Sequence, residues 1–147
     1  MTEQWTDSDA WVFSSIEGTG PDDGCTLTQI ISKADSINHA ILTEAEFIRA
    51  VARLVAADLI VAQPETNCYW HSETGRELHQ RWMERGGLFS WMDVIPPQLR
   101  RLGQPQDAAW SLPAGTFEHA VQEHHRWAEA ILNRQRRYGR QNSGNRP

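Results

Sequence analysis

Residues 43–63 constrain the fold of this chain more than any other stretch. Thr43 and Glu46 stand in the spacing of a capping box, where hydroxyl and carboxylate each satisfy a backbone N–H left free at a helix start. Phe47, Ile48, Val51, Leu54 and Val55 follow at i, i+1, i+4, i+7 and i+8, which predicts an amphipathic helix running from Thr43 to Asp58. The period then changes. Leu59-Ile60-Val61-Ala62 and Cys68-Tyr69-Trp70-His71 are β-prone runs, and Pro64-Glu65-Thr66-Asn67 between them has the composition of a turn, so a hairpin is expected.

Shorter helices are expected on either side. Trp11, Val12, Ser15 and Ile16 mark one from about Asp9 to Glu17, and the glycines and proline of residues 18–24 end it in a loop. Thr26 and Gln29 form a second capping box, opening a helix with Ile30, Ile31 and Ala34 on one face. A further helix runs from near Ser72 through Leu78 and Trp82 to about Arg85. Gly86-Gly87, Pro96-Pro97, Gly103 and Pro105 then read as punctuation, so residues 86–113 are expected to be an irregular connector containing tryptophan and proline. A long amphipathic helix is predicted over 114–138. The tail 139–147 has no apolar side chain and is expected to be disordered.

The chain is 147 residues long, the size of one domain with an appended element. Nineteen acidic residues oppose fourteen basic ones, for a net charge of −5. The charge is uneven: residues 1–99 hold fifteen acids and six bases, whereas 100–147 hold four acids and eight bases. That balance argues against indiscriminate binding to nucleic acid or anionic membranes. The acidic N-terminus lacks an apolar core, so no signal peptide is expected. The longest apolar stretch, Leu54 to Ala62, is broken by Asp58 and too short to span a bilayer. A soluble, cytoplasmic protein is the expectation. Cys25 and Cys68 are too few for a disulfide framework or a zinc cluster. His119 and Glu123 lie one turn apart but lack a third ligand nearby, so no metal is expected. With no glycine-rich phosphate loop and no nucleophile elbow, neither an enzymatic activity nor a cofactor is expected.

The predicted order of helix, short strand, two helices, hairpin and helix resembles that of a winged helix-turn-helix. Residues 52–78, ARLVAADLIVAQPETNCYWHSETGREL, are similar to the segment of PadR-like and MarR-like transcriptional regulators where the recognition helix ends and the wing begins. Leu54 and Leu59-Ile60 match a Leu-x-x-x-Gly-Leu-Ile turn, with Asp58 in place of the left-handed glycine. Ser72, Gly75 and Leu78 match a Thr-x-x-Gly-x-x-x-Leu pattern, with Ser for Thr. The resemblance covers about residues 8–85. It implies a mostly α fold with a small β-hairpin, a winged helix-turn-helix domain, followed here by the long C-terminal helix. It also implies that the helix from Thr43 faces the major groove in a DNA-binding member, and that cysteine 25 lies in a short strand beside the wing, as a cross-strand neighbour of Cys68.

The residues of that helix depart from a DNA-reading face. With Phe47, Ile48, Val51, Leu54 and Val55 turned inward, Glu44, Glu46, Arg49, Ala50 and Arg53 are expected outward. Residues 26–76 hold four basic and six acidic side chains, and the wing turn has no Lys or Arg to neutralise a phosphate. Two functions stay open: a regulatory or scaffolding module that binds protein through an acidic face unfriendly to DNA, or a dimeric DNA-binding transcriptional regulator. Contacts to a partner or nucleic acid are expected from Glu44, Glu46, Arg49 and Arg53, and from Arg136, Arg137 and Arg140 near the C-terminus. In the last helix, Phe117, Val121, His124, Ala128, Ile131 and Tyr138 follow steps of four and three. That seam either packs on its own domain or pairs two chains in a homodimer, which is the expected state.

Overall fold

The computed structural model describes residues 4–143. Among them the chain forms six α-helices and one two-stranded antiparallel hairpin. The helices are α1 (Asp7–Ser15), α2 (Leu27–Asn38), α3 (Glu44–Ala56), α4 (Glu73–Glu84), α5 (Trp91–Arg101) and α6 (Thr116–Ser143); strands β1 (Ile60–Gln63) and β2 (Cys68–His71) lie between α3 and α4. Side chains of Leu88 and of residues 140–143 are not described.

Local chemistry accounts for the helix starts. Thr6, Thr26 and Thr43 each complete a capping box, with Asp9, Gln29 and Glu46 reaching back to the cap N–H. Ser72 caps α4 by accepting from Gly75 N at 3.0 Å. Between α3 and β1 the backbone of Asp58 is left-handed, with φ 58°. Aspartate is among the few residues besides glycine that adopt this geometry at low cost.

The hairpin pairs Ile60 with His71 and Gln63 with Cys68, and its turn closes through Pro64–Thr66 and a left-handed Asn67. Cys25 adds a single bridge on the far side of β2: its N–H donates to Tyr69 O at 2.8 Å and its carbonyl accepts from Tyr69 N at 2.9 Å. Tyr69 is fully buried as a result, against Phe47 and Trp110.

Helix α1 is the centre of the molecule. Every residue from Asp9 to Ser15 is buried, and α2, α3 and α5 all pack on it. A helix surrounded on all sides shows little amphipathic period. The hydroxyls of Ser14 and Ser15 are satisfied within the helix, donating to Ala10 O and Trp11 O at 2.7 Å each.

Two regions differ from the sequence expectation. The connector over 86–113 is not irregular throughout, because α5 occupies residues 91–101 with Pro96 and Pro97 inside it. Its buried face of Trp91, Val94, Ile95 and Leu99 outweighs the proline penalty. The carbonyls that lose their amide partners belong to Met92 and Asp93, which are exposed to water. Helix α6 continues past residue 138 to Ser143, so residues 139–143 are helical rather than disordered, and residues 144–147 of the expected tail lie outside the described chain.

Candidate interaction surface

Helix α3 presents Glu44, Ala45, Arg49, Val55 and Ala56 to solvent, with Ile48 half-exposed between them. This arc is rotated from the expected one. Ala50 and Arg53, expected outward, are both 0% exposed, while Val55, expected inward, is 38% exposed. The cause is α1, which covers one flank of α3 and supplies a buried carboxylate. Arg53 Nη1 lies 3.0 Å from Asp9 Oδ2 and donates to Gln4 O at 3.1 Å, while its Nε donates to Asp107 Oδ1 at 3.0 Å. Arg53 is therefore an internal tie between α1, α3 and the segment after α5, not a surface contact to DNA or protein.

The two glutamates at the start of α3 also differ from one another. Glu44 is exposed. Glu46 is half-buried, accepting from Thr43 N at 3.2 Å and from Ser8 Oγ at 2.7 Å. Partial burial pulls its carboxyl upward, but the hydrogen bonds from Ser8 and Thr43 outweigh that and hold its pKa below the usual range. The outward face of α3 thus carries one carboxylate, one guanidinium and a run of small apolar side chains.

Helix α6 divides into two halves. Phe117 and Ala120 are buried, and Val121 packs beside them on the core. His124 is 7% exposed and bridges two residues of α2. Its Nδ1 lies 2.8 Å from Ser32 Oγ and its Nε2 lies 3.2 Å from Asp35 Oδ2. These are the partners that a polar residue in an apolar seam requires. Beyond Ala128, which is half-buried, the helix leaves the body of the protein. Ile131 is 56% exposed and Tyr138 is 71% exposed. The predicted seam is therefore an intramolecular contact over its first part and an uncovered stripe over its second. Arg134, Arg136 and Arg137 are exposed on this distal half, and the side chain of Arg140 lies outside the described residues.

Where α6 departs, it forms one wall of a cleft of about 600 Å³. Trp127 and Ile131 line that wall, Ser32 and Lys33 of α2 line the other, and Cys25 lies at the base. Lys33 is ion-paired with Glu17 at the rim. Asp23 is also at the rim, its carboxylate accepting from Thr19 N and Gly20 N at 2.9 and 2.8 Å, and these bonds lower its pKa. The cleft brings together residues more than ninety positions apart, and no local pattern marks it in the sequence.

The two thiols are not cross-strand neighbours. Cys25 stands opposite Tyr69, so Cys68 is one residue out of register and its side chain alternates to the other face of the strand. Cys68 Sγ packs over Gly24 and donates to Pro21 O at 3.6 Å. Burial pushes the Cys25 thiol up to about 11, where it is a poor nucleophile.

Among the described residues there is no cluster of three or more His, Cys, Asp or Glu side chains placed to hold a metal, and no helix long and apolar enough to cross a membrane. Comparison with family models, with curated proteins and with solved structures finds no match to this chain.

Proposed function

We propose that residues 8–85 are a winged helix-turn-helix module used to bind protein rather than to read DNA, and that the chain acts as a homodimer. The arrangement of α2, a short turn, α3 and the β1–β2 hairpin supports the fold reading, as does the bridge that Cys25 makes to β2. The outward face of α3 carries the functional reading. Its apolar residues Ala45, Ile48, Val55 and Ala56 outnumber its charges, and Arg53 is withdrawn into the core. The hairpin from Ile60 to His71 has no Lys or Arg. Non-specific affinity for DNA comes from neutralised phosphates, and this face neutralises few. An apolar face flanked by one charge of each sign suits a helix or loop of a protein partner.

The test is fluorescence anisotropy with random and promoter-derived duplexes at physiological salt. The expected result is no binding tighter than about 10⁻⁶ M, the tight end of non-specific affinity. Nanomolar affinity for one duplex, weakened by Arg49→Ala, would instead make the protein a dimeric DNA-binding transcriptional regulator.

A further inference from the structure

Helix α6 spans 28 residues, and its body-facing contacts end near residue 131. The part that projects beyond is about 18 Å long at the rise of an α-helix. Three of the four large exposed apolar side chains of α6 share one side. Trp127, Ile131 and Tyr138 fall on one side of the helix, at i, i+4 and i+11, with Arg134 at i+7 between them, while Leu132, 51% exposed, lies off this stripe. Trp127 and Ile131 are 43% and 56% exposed, and both line the cleft, so the apolar stripe begins inside the cleft and continues into solvent.

The charges on the two surfaces are opposite. The distal half of α6 bears Arg134, Arg136 and Arg137 against Glu129. The loop at the cleft rim bears Glu17, Asp22 and Asp23, with Lys33 the one opposing cation among the cleft-lining residues. A two-fold axis near residue 131 would run two α6 helices antiparallel, carrying the distal end of each back toward the acidic loop of the other.

We infer that the distal half of α6 seats in the cleft of a second copy of this chain, each copy giving its basic helix and receiving its partner's against the loop at residues 17–23. This rests on the self-association proposed above and names its surface. It differs from a seam-on-seam coiled coil, in which helix meets helix and the loop takes no part.

Sedimentation of the full chain at tens of micromolar tests it, with two charge-reversed variants. One carries Arg134→Glu and Arg137→Glu on the helix; the other carries Glu17→Arg and Asp22→Arg on the loop. The unmodified chain is expected to sediment as a dimer that weakens at high salt. Each variant alone is expected to be a monomer, because like charges then face each other. Mixed in equal amounts, they are expected to restore the dimer, since each helix again meets a cleft of opposite charge. Restoration also shows that both variants are folded. A loop variant that dimerises as well as the unmodified chain overturns the exchange while leaving self-association intact. An unmodified chain that is monomeric overturns both.

Discussion

Arg53 and Asp9 form an ion pair that water does not reach: Nη1 stands 3.0 Å from Oδ2, and the two side chains are 0% and 1% exposed. Each charge depends on the other, because an isolated charge in the interior is costly. Asp9 also accepts from Thr6 N at 2.8 Å, so the pair anchors the α1 cap as well as α3. Arg53→Met, which leaves the Asp9 carboxylate uncompensated, is expected to cost about 3–5 kcal/mol in urea unfolding. The double variant Asp9→Leu, Arg53→Met is expected to lose much less than the two single losses added together. Additive losses would show that the two residues act separately.

His71 makes stability depend on pH. Its ring stacks on Phe13 with centroids 4.6 Å apart, and its Nε2 donates to Phe13 O at 3.2 Å. Burial lowers its pKa from 6.5 to about 4, and the neighbouring His79 adds to the effect, while the Phe13 carbonyl and Glu17 oppose it. Between those values the unfolded chain binds a proton that the folded chain refuses, so stability is full above pH 6.5 and falls as the pH drops toward 4. The loss from this one group is on the order of 3 kcal/mol. Unfolding free energies across pH 4 to 7 are expected to show a smaller slope for His71→Gln than for the unmodified chain. An unchanged slope would assign the pH dependence to other groups.

Gly75 is required by contact, not by backbone conformation. A Cβ at this position would stand 1.9 Å from Leu59 O. The first turn of α4 is held against residues 58–59, where Ser72 N donates to Leu59 O at 3.0 Å and Ser72 Oγ donates to Asp58 O at 2.5 Å. Gly75→Ala is expected to cost about 2–3 kcal/mol, the upper range for overpacking, and to shift α4 away from the strand. Thermal unfolding measures the loss. A variant as stable as the unmodified chain would mean that α4 moves freely.

The elements legible in the sequence are those specified by neighbours along the chain. The start of α3 was readable because Thr43 and Glu46 satisfy each other's backbone donors, and the hairpin because its β-prone runs flank a turn. The left-handed turn at Asp58 was expected on other grounds, the resemblance of residues 54–60 to a turn in which glycine is usual. The placement of Arg53 was not legible. Its partners Asp9 and Asp107 are 44 and 54 positions away, so locally it reads as an exposed charge on a helix. Helix α5 was hidden by Pro96 and Pro97, whose local preference is overruled by packing against α1. The same limit applies to His124, which is polar in the seam because Ser32 and Asp35 wait on α2, 92 and 89 positions earlier.

The central position of α1 sets its packing against the order of synthesis. Its nine residues precede all the helices that enclose them; α5, one of these, is not complete until Arg101, and Trp5 finds its acceptor only at Gly103 O. At about 5–20 residues per second, the face of α1 that α5 covers waits for roughly 5–20 s of synthesis. Helix α1 cannot be fully enclosed until α5 has been made. Until then that apolar face is open to other chains, the exposure through which unfinished polypeptides aggregate.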